Sequence, residues 1–207
     1  MRLIRGAPDL EEGAAHLARV CPVWARVLPQ IAPLPLRRWD EGFVSIRDAV
    51  IAQQISTHAA GAITARLLAA GLGDEAAIAA AGDEALCAAG LSRPKARYLK
   101  GIAQAGVDWD GLRDLDDEAA IAVLTRLPGI GRWTAEIYLK FALGRADVFA
   151  SGDLALAEAA RLLYDLPERP RPSALLALAE PWRPWRAVAA RALWAYYRLA
   201  KGHEGVR

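Results

Sequence analysis

Apolar residues recur at helical spacing along almost the whole chain, and Gly, Pro and Asp interrupt them at short intervals. No window shows the alternation of a half-buried strand, so the chain is expected to be all-α. Ala, Leu and Arg, which favour helices, are plentiful, whereas Phe occurs only 3 times. A chain of 207 residues that is 54% hydrophobic can bury one core, or two helical subdomains around a central cleft.

Several function classes are excluded early. Cys21 and Cys87 are far apart and lack the spacing of a zinc site, an iron–sulfur cluster or a disulfide framework. A reducing, cytoplasmic setting fits them best. No apolar run has the length of a signal peptide or a membrane span. The net charge of +2 does not by itself imply a nucleic-acid partner. Acidic residues cluster over 108–118, and basic residues outnumber acidic ones from Arg161 onward. A basic face there would suit a polyanion, although an ordinary solvated surface explains it equally well.

Along the chain, Asp9 opens a helix through His16 and Val20 that Pro22 interrupts, and residues 31–42 read as a proline-rich connector. Ser45 with Asp48 three residues on reads as a capping box for the helix carrying Ile46, Val50 and Ile51. The polar "QQIST" (53–57) suggests a turn, with Ile55 directed to the core. Further helices are expected over about 58–70, 74–81, 83–89, 94–105, 116–126, 132–143, 153–164, 172–179 and 184–201.

The segment "LPGIGRWTA" (127–135) joins two of these helices. Gly129 and Gly131 can take positive φ and bring the backbone close to a partner, and Ile130 can plug the turn. The N–H groups from Gly131 through Arg132 and Trp133 to Thr134 lack intrahelical acceptors, which makes this helix start an anion site. A plain αα-turn with a glycine cap would have the same signature. About twenty residues beyond Trp133, Asp153 opens the next helix in "DVFASGDLAL". It can cap that helix, supply a carboxylate to chemistry, or do both. Asp147 nearby reads as a brace for the loop. The chain holds 7 Trp, of which Trp182 and Trp185 read equally well as structural.

The hairpin, the aspartate loop and the late "PWRPWRAVAARALWAYY" together resemble the helix-hairpin-helix GPD superfamily of DNA glycosylases, specifically its alkylbase (3-methyladenine II) branch, from about Phe43 to Tyr197. The resemblance implies a helix-hairpin-helix glycosylase fold in a short form without the family's N-terminal β domain, with one helical subdomain over about 43–145 and a second from 1–42 plus 146–207. It implies that Asp153 is the catalytic aspartate, and that Gly129, Gly131, Arg132 and Thr134 hold a DNA phosphate. The carbonyls of Thr125, Leu127 and Ile130 would hold a monovalent cation, Na+ or K+, when DNA is bound, and no other cofactor is required. Trp133 and Trp194 match the aromatic lining of the base pocket, and the family's pocket tyrosine falls on Ile137, with Tyr138 beside it. Trp133 stands where relatives with β-lyase activity carry a lysine, which implies a monofunctional hydrolase. Gln53 and Gln54 are the candidates to fill the gap left by a flipped base. Alkylated purines carry positive charge that an indole face attracts, and they leave readily. The chain has no evident pocket histidine: His16 and His203 lie near the ends, and His58 follows the turn. The expected function is excision of alkylated bases from duplex DNA by a monomer, leaving an abasic site. A glycosylase for deaminated or oxidised bases and a non-catalytic damage-binding module are the alternatives.

Overall fold

The computed structural model describes residues 1–202, so His203 lies outside the described residues. Among them are twelve α-helices and two 3-10 turns, with no strand beyond one isolated bridge between Leu3 and Arg145. The chain divides into two compact units: Trp39–Leu143, and Met1–Arg38 with Gly144–Arg207.

In the first part of the discontinuous unit lie α1 (Ala7–Val20) and α2 (Pro22–Ile31). Asp9 does not open α1; it sits in the first turn, where its carboxylate accepts the N–H groups of Arg5 and Gly6 at 2.8 and 3.0 Å. Pro22 starts a second helix rather than merely ending the first, because a first-turn residue needs no N–H donor.

The 39–143 unit holds α3 (Phe43–Ala52), α4 (Thr57–Ala69), α5 (Glu75–Ala80), α6 (Asp83–Ala88), α7 (Arg93–Ala103), a 3-10 turn at Gly111–Arg113, α8 (Asp117–Thr125) and α9 (Arg132–Phe141). Ser56, Asp74, Ser92 and Asp116 each cap the helix that follows, accepting the N–H three residues on. The expected capping box at Ser45 does not form. The helix already begins at Phe43, Ser45 is buried within it, and its hydroxyl donates to Asp40 O. Asp48 pairs instead with Arg47. The interior is built from Ile46, Val50, Leu67, Leu99, Leu124 and Leu139, each fully buried.

The discontinuous unit is completed by α10 (Leu154–Leu163), α11 (Pro172–Leu178), a 3-10 turn at Glu180–Trp182 and α12 (Arg186–Lys201). Its core gathers around Trp182, whose ring meets Trp24 edge-on at 5.4 Å, Phe149 at 5.8 Å and Tyr164 at 6.3 Å. Trp185 is buried as well, with the Arg2 guanidinium 4.8 Å from its ring centre. Helices α1 and α12 meet closely at Gly13, where a Cβ would fall 2.6 Å from Val188 Cγ2. Only a residue without a side chain permits that approach. Among the described residues no helix is long and apolar enough to cross a membrane.

Candidate functional site

On the 39–143 unit, α8 and α9 are joined by the turn 126–131. Leu127 and Ile130 are buried and pin it to the unit, and Ile130 N–H donates to Leu127 O at 3.2 Å. Gly129 has φ +77, and a Cβ on it would lie 2.5 Å from Tyr98 Cδ2, so the backbone rests directly on a ring from α7. Gly131 differs from the expectation of a second left-handed glycine. Its φ is −90, and it serves as the N-cap of α9 without a side-chain cap hydrogen bond. A Cβ there would meet nothing within 4 Å. The start of α9 therefore presents its backbone N–H groups beside open space, the arrangement that receives an anion.

Arg132 follows at once, but its guanidinium is committed to the protein. It reaches Glu118 of α8 at 2.5 and 3.0 Å and Glu136 of α9 at 2.9 Å. The Glu118 hydrogen bond, chiefly, holds Arg132 above its ordinary pKa and Glu118 below the usual carboxylate range. Burial pushes the Glu136 carboxyl up, against the pull of Arg132. Arg132 thus clamps the two hairpin helices, which leaves its backbone N–H rather than its guanidinium at the open helix start. Thr134 is buried, and Trp133 is 45% exposed.

Tyr138 and Ile137, one turn further along α9, are both buried. Tyr138 belongs to the interior rather than to a pocket wall: its hydroxyl accepts the Gly42 N–H at 2.8 Å, and its ring lies 6.2 Å from Trp109. Burial raises its pKa.

The polar turn falls where expected, between α3 and α4. Gln53 is half-buried and its side-chain amide donates to Gly129 O at 3.1 Å, which ties this turn to the hairpin. Gln54 is exposed with φ +58, a left-handed conformation that side chains rarely adopt. Ile55 is 38% exposed and not turned to the core, because α4 starts only at Thr57 and leaves it on the loop. Two participants escaped the motif reading: Lys95 donates to Ile51 O and Gln53 O at 2.7 and 2.6 Å, and Tyr98 supports Gly129. The signal for Lys95 was a cation in the first turn of a helix, where the macrodipole disfavours it.

On the other unit, Asp153 is the N-cap of α10. Its Oδ1 accepts the N–H groups of Ala155 at 2.8 Å and Leu156 at 3.0 Å, and the residue is 8% exposed. The tight turn before it is closed by Ser151 N–H to Phe149 O and Asp153 N–H to Ala150 O. Asp147 is a brace: it receives both Arg186 nitrogens at 2.9 Å and Arg183 at 3.0 Å. Trp194, on α12, is half-buried against this unit's core.

Residues 48–184 match the model of the HhH-GPD superfamily base excision DNA repair protein family. DNA-3-methyladenine glycosylase 1 of Schizosaccharomyces pombe is 31% identical over 96% of this chain and 92% of its own. The solved 3-methyladenine DNA glycosylase of that yeast, in complex with abasic DNA, superposes with a TM-score of 0.77 at 29% identity, covering 95% of this chain and 100% of the other. A DNA-3-methyladenine glycosidase from Bacillus halodurans gives a TM-score of 0.79 at 30% identity, with 91% and 90% covered.

Proposed function

The chain belongs to the HhH-GPD superfamily of base excision DNA repair proteins, and on that premise we propose that it is a monofunctional DNA glycosylase. It extrudes an alkylated base, of the 3-methyladenine or 7-methylguanine type, from duplex DNA and hydrolyses its N-glycosidic bond, leaving an abasic site. The observation that carries this reading is Asp153, a nearly buried carboxylate whose direction is fixed by two backbone N–H donors at the start of α10.

Glycosidic cleavage builds oxocarbenium character on the sugar, and an oriented carboxylate stabilises that charge and orients the attacking water. Alkylated purines are cationic and leave without strong acid catalysis, so the base needs recognition more than protonation. On the 39–143 unit the exposed Trp133 indole offers an electron-rich face for it. The open N-terminus of α9 at Gly131 receives a backbone phosphate through N–H groups up to Thr134. The absence of an amine at Trp133 supports hydrolysis without β-lyase chemistry.

The carbonyls of Thr125, Leu127 and Ile130 are neutral oxygen donors, a set that suits an alkali cation. Leu127 O has one lone pair on the Ile130 N–H and another to offer. A cation there would add positive charge beside the phosphate. The chain's own N–H groups orient that phosphate in either case.

The test is base release from methylated duplex DNA, beside oligonucleotides carrying uracil or an oxidised guanine. Release of alkylated bases by the wild type, lost in Asp153→Asn, with strands that break only after alkali, is the expected result. Release of neutral bases alone would overturn the substrate assignment, and a borohydride-trapped covalent adduct would overturn the monofunctional one.

A further inference from the structure

We propose that Lys95 is a positioning residue for base extrusion, holding the Gln54 backbone in its left-handed conformation so that this side chain is aimed outward before DNA arrives. The proposal rests on the glycosylase reading, in which the 53–54 turn fills the gap left by the extruded base.

The geometry follows from one peptide plane. The φ angle of Gln54 is the rotation between its own carbonyl carbon and that of Gln53, so the orientation of the 53–54 peptide decides it. Lys95 Nζ holds that peptide by Gln53 O at 2.6 Å and the last turn of α3 by Ile51 O at 2.7 Å. On the other side of the turn, the Gln53 amide is anchored on Gly129 O at 3.1 Å. A non-glycine residue at φ +58 persists only where its surroundings over-determine it, and these contacts do so. They leave the Gln54 side chain exposed.

The placement of Lys95 runs against local preference in a way that marks it. It lies in the first turn of α7, directly after the Ser92 cap and Pro94, where a cation opposes the helix dipole. What it gains is the carboxyl end of α3, whose last carbonyls have no intrahelical donors and whose dipole favours a cation. Helix α7 also supports the hairpin, since Tyr98 lies under Gly129 and a Cβ on Gly101 would fall 2.9 Å from Pro128 Cγ. One helix therefore sets both turns that face DNA in the proposed reaction, and Lys95 is its contact with the one that penetrates. This is a local rule broken where function asks for it.

A double-mutant cycle on the full chain tests this. Lys95→Met keeps the aliphatic stem and removes the amine. It is expected to lower kcat for base release from methylated duplex about ten-fold with KM little changed, and to weaken affinity for a duplex containing an abasic-site analogue. Lys95→Arg, which keeps a cationic donor, should restore most of both, and if Lys95→Met does not fold, Lys95→Gln, which keeps only a short neutral donor, carries the test with the same direction of loss. Gln54→Ala should show the same loss, and adding Lys95→Met, or Lys95→Gln in its place, should change it less than two-fold. Wild-type rates in Lys95→Met, or losses that multiply in the double variant, would overturn the proposal. A wild type that releases no base would instead sink the glycosylase reading, and the abasic-duplex affinities would still report on Lys95.

Discussion

Replacing Asp153 separates its two tasks, because asparagine caps a helix as well as aspartate does but carries no charge. Asp153→Asn should keep the N–H acceptors for Ala155 and Leu156, and with them the thermal stability, while base release falls by about 10²-fold or more. Asp153→Ala should lose the same activity and also about 1 kcal/mol of stability, read as a drop of about 2–4 °C in Tm. Equal Tm values for the two variants would show that the cap contributes nothing. The position of this residue was legible in the sequence, and so was the capping role, which the structure shows; the proposed catalytic role uses the same oriented carboxylate. Tyr138 is the opposite case. Its neighbour in sequence, Ile137, was expected from the resemblance to stand at a pocket position, and a helix turns about 100° per residue. That rotation carries the Tyr138 ring to Trp109 and its hydroxyl to Gly42, contacts between segments far apart in sequence that no local pattern announces.

At the scale of elements, the hairpin shows why two glycines in one motif are not equivalent. Gly129 is required by backbone conformation and by Tyr98 beneath it, whereas Gly131 has an ordinary φ and open space where a Cβ would stand. Gly129→Ala should therefore destabilise the protein by about 2 kcal/mol, from the left-handed cost together with displacement of the Tyr98 ring. Gly131→Ala should stay within about 0.5 kcal/mol of wild type, yet weaken binding to duplex DNA, since the methyl group enters the space assigned to the phosphate. Chemical denaturation and fluorescence anisotropy on both variants check this, and a Gly131→Ala protein with unchanged DNA affinity would remove the phosphate from that helix start. Arg132 makes a related point. A basic residue after the turn reads as a phosphate contact, but Glu118 fourteen residues earlier and Glu136 one turn later claim its guanidinium. The second partner is a helical i,i+4 pair that the sequence does offer; the first depends on how α8 packs against α9.

Across the molecule, the helical class, most helix positions and the sites of the hairpin and the aspartate follow from periodicity, punctuation and motif. What the pattern missed lies at contacts between elements: the Lys95 clasp, the Tyr98 support, the second N-terminal helix begun by Pro22. The discontinuous unit is assembled from both stretches of chain flanking 39–143, and Glu158 is a place where its later elements are joined. The carboxylate on α10 meets Arg161 at 2.9 Å, Arg169 in the following loop at 3.2 Å and Lys201 of α12 at 3.8 Å. The Arg161 hydrogen bond, followed by that of Arg169, holds its pKa down at about 2, below the ordinary carboxylate value of 4.5. A depressed carboxylate pKa means that the unfolded chain takes up the proton first. The stabilisation is complete above about pH 4.5 and is lost as pH falls from there toward about 2. Glu158→Gln should therefore be less stable than wild type at neutral pH, with a Tm that varies less between pH 5 and pH 3 than the wild-type Tm does. Hydrogen exchange over the same interval should show protection decreasing first in α10 and α12 rather than in α3 to α9. If the substitution leaves the pH profile of Tm unchanged, the acid sensitivity of this unit has another source.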